Sequence, residues 1–467
     1  MPAPTMTGGC VPVGSALAAC AAAFALLCGA DGVQGAEPPR GVAVSQASCA
    51  AAADESERHL GRALLVMKDG EIVFERYARG WSAERPHPLA SGTKSFCGVL
   101  AARALQDGVI RSLDQPASDF ITEWRSDPKA AGITVRQLLT LTSGLEPDPK
   151  ALGPQGAGIR DLVDSQGQGP IATRLRKANE EAAARLPDRF QAVIGTPVTT
   201  APGLRFRYGP AHFYAFGAML ERALAASSVP EKTLWDYMRA RILIPCGIDA
   251  GLDRFAPDSA GKPNLPGGGH LTAREWARFG EMVRLGGRVR GQASSAPDAT
   301  GGGADGSPGP GAVGAVQAVD SVEVVDAALL AACFQPSERN GAYGLTWWLL
   351  NGKGPGAAVA DAAGAGAVER AGAAQAAQTR PVLDLDGRPI TVVMAAGAGK
   401  QRLYVIPECG LVVVRFAAMG RGGMEYDDRA FLQALLGLTA QGAGAEPGPG
   451  ANPPARQPPP RDPARAP

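Results

Sequence analysis

Ser91-Gly92-Thr93-Lys94 places a serine three positions ahead of a lysine, at the head of a segment with helical apolar spacing. One helical turn puts residues i and i+3 on one face, so the Lys94 ammonium can reach the Ser91 hydroxyl. A serine hydroxyl is hardly ionised at neutral pH and attacks a carbonyl only when a neighbour takes its proton. The backbone N–H groups of the first turn, reinforced by the helix dipole, point to the same place and can hold an oxyanion. The chemistry is acyl transfer through Ser91. A helix-capping serine beside an exposed lysine is the alternative that this spacing alone allows.

Other reactive residues form weaker patterns. Residues 309–314 fit GxGxxG but lie in a low-complexity stretch with no strand before and no helix after. Gly399-Lys400 has Gln401 where a phosphate loop needs Ser or Thr, and no GxSxG elbow exists. Of the four histidines, His212 and His270 lie nearest the motifs and read as structural, as does Cys97, a small buried hydrophobe one turn beyond Lys94. Five cysteines follow the first thirty residues (Cys49, Cys97, Cys246, Cys333 and Cys409), an odd number without CxxC spacing, so no zinc cluster is expected and any disulfides stay unassigned. The expected chemistry needs neither a metal nor an organic cofactor.

The elements that must position Ser91 can be read on either side of it. Two β-prone runs, 64–67 and 71–77, flank Asp69-Gly70 and predict a hairpin. Phe96, Val99, Leu100, Ala104 and Leu105 predict a buried helix over 95–106, ended by Asp107-Gly108. Further helices are expected at 135–142, 213–225, 234–243 and 273–285. Strands are expected at 389–396, 401–407 and 410–417. Strands first, helices in the middle and strands last imply an α+β fold: an antiparallel sheet built from both chain ends, flanked by helices, with an inserted helical lobe.

In this 467-residue chain, 46 Lys and Arg balance 45 Asp and Glu without clustering, so nothing predicts a nucleic-acid or anionic-membrane face; a small-molecule partner is expected. The uncharged run 11–30 and the small residues Gly35 and Ala36 predict an export signal over 1–36, although no Lys or Arg precedes the run. Leu17-Ala18-Ala19-Cys20 leaves a lipid anchor open, and a run of this length leaves an uncleaved membrane anchor open. Either way the domain is expected to be periplasmic or secreted. It is placed at 50–440, with flexible insertions near 291–314 and 352–377 and a disordered Pro-rich tail at 441–467. Oligomeric state is not legible.

Several segments, in order, make the chain similar to the class C β-lactamase-like family of serine hydrolases, which includes β-lactamases, D-amino-acid peptidases, esterases and oligoamide hydrolases. The SxxK element follows the Asp-Gly hairpin, as in that family. Leu138-Leu139-Thr140-Leu141-Thr142-Ser143-Gly144-Leu145 resembles LLxHTSGL, with Leu141 in the His position. Pro202 to Tyr208 resembles PGxxFxY, and Gly268-Gly269-His270-Leu271-Thr272 with Ala277-Arg278-Phe279-Gly280 resembles the GGLxST and ARFG segments. Tyr343 to Trp348 resembles YGxGWW, and Gly397 to Glu408 resembles the GxGGQ, strand, PE ending.

The resemblance implies that Tyr208 joins Ser91 and Lys94, its phenol pKa lowered by the nearby lysine charge so that it accepts the serine proton. It also implies that the backbone N–H groups of Ser91 and Ala398 form the oxyanion hole. Two positions depart from the family. Pro210 stands where YxN has an asparagine, and Met394-Ala395-Ala396-Gly397 stands where a Lys-Thr-Gly cation is expected. The expected pocket is therefore Pro210, Ala396, Gly397 and Lys400, with Lys400 nearby but at a turn position. The expected activity is hydrolysis of a small ester or amide, esterase-like and not that of an efficient β-lactamase. The alternatives are a catalytically inactive penicillin-binding-like protein holding a cell-envelope ligand, and a true β-lactamase or D-aminopeptidase.

Overall fold

The computed structural model describes residues 44–78, 80–153, 187–290, 321–350, 384–385, 388–418 and 425–438, with isolated positions 174, 181 and 185. The expected leader, both Gly-rich insertions and the Pro-rich tail lie outside the described residues.

The hairpin forms as expected. Strand β1 (Gly61–Lys68) turns through Asp69 and Gly70 into β2 (Glu71–Tyr77), and both turn residues take positive φ, 50° and 88°. That pair of angles matches the right-handed strand twist, which is why Asp-Gly is favoured there. Two short strands follow, β3 (His87–Pro88) and β4 (His270–Leu271), paired antiparallel with each other. The later strands are β5 (Trp348–Leu349), β6 (Val393–Gly397), β7 (Gln401–Ile406) and β8 (Leu411–Ala417). They join β1 and β2 in a six-stranded sheet ordered β2-β1-β8-β7-β6-β5. All its pairings are antiparallel, and β1 meets β8 with Leu65 opposite Val414.

β1, β7 and β8 are buried nearly throughout because both sheet faces are covered. Helix α1 (Gln46–Arg58) lies on one face, where Arg415 Nε donates to Ser56 Oγ at 2.9 Å. Helices α2 (Ser95–Gln106), α3 (Val135–Leu139), α4 (Ala211–Ala226) and α5 (Leu234–Met238) belong to the inserted region. Helix α6 (Ala273–Arg284) covers the opposite face: a Cβ on Gly280 would stand 2.7 Å from Val412 Cγ1. Residues 412 and 415 differ by an odd number, so their side chains leave opposite faces. After α7 (Ala327–Ala331), helix α8 (Asp428–Leu436) packs beside α1.

Three boundaries differ from expectation. The helix expected over 135–142 stops at Leu139, because Leu141 takes a left-handed φ of 60° that no helix accommodates. The 234–243 helix is α-helical to Met238 and continues as a π turn, Arg239–Leu243. The strand expected from 389 enters the main sheet only at Val393, whereas Arg388–Pro389 pairs separately with Asp384–Leu385. All five cysteines of the described residues are buried and unpaired. Among these residues no helix is long and apolar enough to cross a membrane, and no cluster suited to a metal ion occurs.

Candidate active site

Ser91 sits on a 3₁₀ turn, Ala90–Lys94, that runs directly into α2. Ala90 takes a positive φ of 48°, a bend that residues with a Cβ rarely adopt. Leu89 N donates to Gly269 O at 2.8 Å, Gly269 N donates to Thr93 Oγ1 at 3.0 Å, and Thr93 Oγ1 donates to Ala90 O at 2.8 Å. These bonds tie the turn to the Gly268-Gly269-His270 segment. Gly92 lies against Trp276 of α6, where an added Cβ would come within 2.8 Å of the indole.

Lys94 Nζ donates to Ser91 Oγ at 2.9 Å and to Pro266 O at 2.5 Å. It also lies 4.9 Å from the ring centre of Tyr208 and 5.3 Å from that of Phe213. The side chain is buried, and burial pushes the ammonium pKa down to about 7. Tyr208, half-buried, completes the group. Here the electrostatics reverse the expectation: burial pushes the phenol up to about 12, while hydrogen bonding to Ser91 and the charge of Arg402 pull the other way. Desolvation disfavours phenolate and ammonium alike, so near neutrality the phenol keeps its proton and Lys94 is about half neutral.

Tyr208 is held through its backbone. Arg207 N donates to Leu141 O at 2.9 Å, and Gly203 N donates to Thr142 O at 2.7 Å. His212, fully buried on α4, bonds Arg207 O through Nε2 at 2.8 Å and Ser143 Oγ through Nδ1 at 2.9 Å. A carbonyl only accepts, so Nε2 carries the proton and Nδ1 accepts from the serine. Burial lowers this imidazole to about 4, keeping it neutral. His270, with Nδ1 on Gly268 O at 2.8 Å, is likewise buried, and Cys97 is buried with its thiol pKa raised. None of the three belongs to the Ser91 cluster of bonds.

Pro210 immediately precedes α4 and brings no donor to the site. The lysine's second hydrogen bond goes instead to the Pro266 carbonyl, an acceptor with no side-chain signature. Gly397 ends β6 against the Ser91 turn: a Cβ there would stand 2.1 Å from Leu89 O. Ala396 is buried just before it and Ala398 half-buried just after it.

Lys400 is not turned toward the cleft. It has a φ of 63°, is 4% exposed, and donates from Nζ to Tyr426 O at 2.9 Å. The expected place for it in the substrate pocket is therefore corrected: its ammonium is engaged behind the strand turn. The residue whose position the sequence did not show is Arg402, fully buried, whose guanidinium grips Asp428 at 2.6 and 3.2 Å and donates to Gly397 O at 3.2 Å. A charged residue within an apolar strand, with a carboxylate twenty-six positions on, was the available signal.

Comparison with known proteins adds to this geometry. A family model described as Beta-lactamase matches residues 47–435. Among curated proteins, the 6-aminohexanoate-dimer hydrolase of Paenarthrobacter ureafaciens is 25% identical over 230 residues, which is 49% of this chain and 53% of that protein. The chain thus spans about half the length of that relative. A D-stereospecific amidohydrolase from Streptomyces sp. superposes with a TM-score of 0.50 at 14% identity, over 85% of this chain and 100% of that one. A candidate β-lactamase from Bacteroides dorei superposes with a TM-score of 0.50 at 15% identity, over 80% and 90%. At these identities the two structures establish the fold.

Proposed function

Because the chain belongs to the Beta-lactamase family, we propose that it is a serine hydrolase that forms an acyl-enzyme at Ser91 with a small ester or amide. The observation that carries this reading is the 2.9 Å contact between Lys94 Nζ and Ser91 Oγ, made by a lysine whose pKa of about 7 leaves much of it neutral in use. A base poised near the working pH combines availability with driving force. Lys94 takes the Ser91 proton as Oγ attacks the carbonyl, and the N–H groups of Ser91 and Ala398 receive the developing oxyanion. The intermediate collapses and the leaving group departs with a proton relayed through Tyr208. Water then attacks the acyl-serine by the reverse relay, freeing the acid.

Substrate class follows from what faces the cleft. Pro210 offers no amide donor, β6 carries Ala395 and Ala396, and the cations Lys400 and Arg402 are engaged behind the strand. An unpaired buried carboxylate costs several kcal/mol. A neutral ester or uncharged amide avoids that cost, whereas a penicillin or cephalosporin does not. The 6-aminohexanoate dimer in the Paenarthrobacter relative's name supports including amides in the class. The leader expected over 1–36 supports an exported location, which fractionation of cells expressing the full chain would check.

The test is labelling with a fluorophosphonate followed by mass spectrometry, with parallel assays on p-nitrophenyl butyrate and a chromogenic cephalosporin. An adduct on Ser91 and a larger kcat/KM for the butyrate are expected. A larger kcat/KM for the cephalosporin would sink the substrate reading. No adduct and no turnover would favour the inactive, ligand-holding alternative to which the departure at Pro210 points.

A further inference from the structure

The turn Ala398-Gly399-Lys400 between β6 and β7 is secured from its buried side. Arg402 Nη1 donates to Gly397 O at 3.2 Å and to Gln401 O at 3.1 Å, and Arg415 Nη1 donates to Lys400 O at 2.8 Å. The Gln401 side chain closes the arrangement by bonding both the N–H and the carbonyl of Ala417, at 2.9 and 2.8 Å. Arg402 is itself fixed: Asp428 receives it at 2.6 and 3.2 Å, and Tyr404 Oη donates to the same carboxylate at 2.5 Å. Burial alone would raise the Asp428 carboxyl, yet the charge and hydrogen bonds of Arg402 hold it below the usual carboxylate range.

In a trans peptide the carbonyl of one residue and the N–H of the next point in opposite directions. The described residues contain no cis peptide. With the Gly397 carbonyl drawn toward β7 by Arg402, the Ala398 N–H faces the other side of β6. Among the described residues no strand pairs with β6 on that side at this end, because β5 meets only Val393 and Met394. The same end of β6 abuts the Ser91 turn at Leu89 O.

We propose that Arg402 is a positioning residue for the oxyanion site, fixing the Gly397–Ala398 peptide so that the Ala398 N–H is aimed at the carbonyl attacked by Ser91. The inference rests on the acyl-enzyme reading above and adds the part that holds the donor in place. A charge-assisted bond to the carbonyl also strengthens the N–H of the same peptide as a donor. Buried ion pairs add little net stability compared with well-packed apolar residues, so geometric control is a fitting role for one beneath this turn. Arg402 has no exposed surface and acts through the Gly397–Ala398 peptide.

The experiment compares p-nitrophenyl butyrate with its thiono analogue, in which sulfur replaces the carbonyl oxygen and accepts hydrogen bonds poorly. Removing Arg402 alone leaves Asp428 buried and unpaired, so the principal variant is the double replacement Arg402→Met with Asp428→Leu, accompanied by Arg402→Lys; circular dichroism checks folding. Loss of one oxyanion donor typically lowers kcat by about 10²–10³. The expected result for the double variant is a fall of roughly 10–100-fold in kcat on the oxygen ester with KM little changed. The thiono ester should lose far less, so that the oxygen-to-thiono ratio collapses, and Arg402→Lys should restore part of it. If both esters slow by the same factor, Arg402 is merely structural and the proposal is overturned. Failure of the underlying reading is seen separately, as turnover that persists in Ser91→Ala, and it overturns this inference too.

Discussion

At Lys94 burial lowers the pKa and the neighbouring Cys97 opposes it more weakly, so desolvation wins. Two oxygens accept from its Nζ, yet burial still brings its pKa to about 7, against 10.5 for the free side chain. Two outcomes follow with definite sign. In activity, kcat/KM should rise with pH as Lys94 loses its proton, with a half-point near 7 and a plateau above it; Lys94→Ala should remove the limb and lower the plateau by roughly 10²–10⁴-fold. In stability, a depressed lysine pKa means that the unfolded chain binds more protons between about pH 7 and 10.5, so Lys94 contributes stability that grows as pH rises through this window. The melting-temperature advantage of Lys94→Met over the natural protein should therefore shrink from pH 6 to pH 9; an advantage independent of pH would show that Lys94 is not buried as a neutral amine. Ser91 and Lys94 were legible in the sequence because i and i+3 on a helix face each other whatever the fold. The Pro266 carbonyl and the raised pKa of Tyr208 were not, since both depend on which atoms the fold packs around the pair.

Element β6 reaches Ser91 because its last residue has no side chain. A Cβ on Gly397 would meet Leu89 O at 2.1 Å and Ala90 Cβ at 3.1 Å, so Gly397→Ala forces strand and turn apart. Overpacking of this kind costs about 1–3 kcal/mol. A shift near 1 Å at a reacting centre can cost about 100-fold in rate. Gly397→Ala should thus lower kcat by at least about tenfold while the chain still folds, read from esterase kinetics beside a melting curve; unchanged kcat would separate β6 from the reaction. Sequence pattern gave α2 at its observed limits and the β1–β2 hairpin within a few residues, because helical spacing and an Asp-Gly turn are local signals. Helix α1 escaped because its buried face is made of Cys49, Ala52, Ala53 and Ser56, too small to stand out as an apolar stripe. Helix α8 is short, and its reason for existing is the sheet face carrying Tyr404 and Arg402, a long-range fact.

At the scale of the whole molecule, the first and last strands are neighbours, so the chain ends close one sheet around everything between them. β1 lies against β8 over Gly61 to Lys68, and α8 packs on α1 over the same face. The site inherits this arrangement: Ser91 comes from the early part of the chain, Tyr208 from the inserted lobe, and the Gly397–Ala398 peptide from the late strands. Its integrity therefore depends on α8, which follows the last of the three in the chain. Phe431, Leu432 and Leu435 are fully buried there. Each such side chain contributes about 1.5–3 kcal/mol by burial, and three together rival the roughly 5–15 kcal/mol that holds a typical domain. Asp428, at the head of the same helix, is the partner of Arg402. A chain truncated after Leu438 keeps every contact described above and should melt and hydrolyse as the full chain does. Truncation after Tyr426 removes α8 and Asp428 together, and it should abolish both cooperative melting and esterase turnover. A chain cut after Tyr426 that still melts cooperatively and turns over the ester would show that the late helix is dispensable, and with it the chain-end closure argued here.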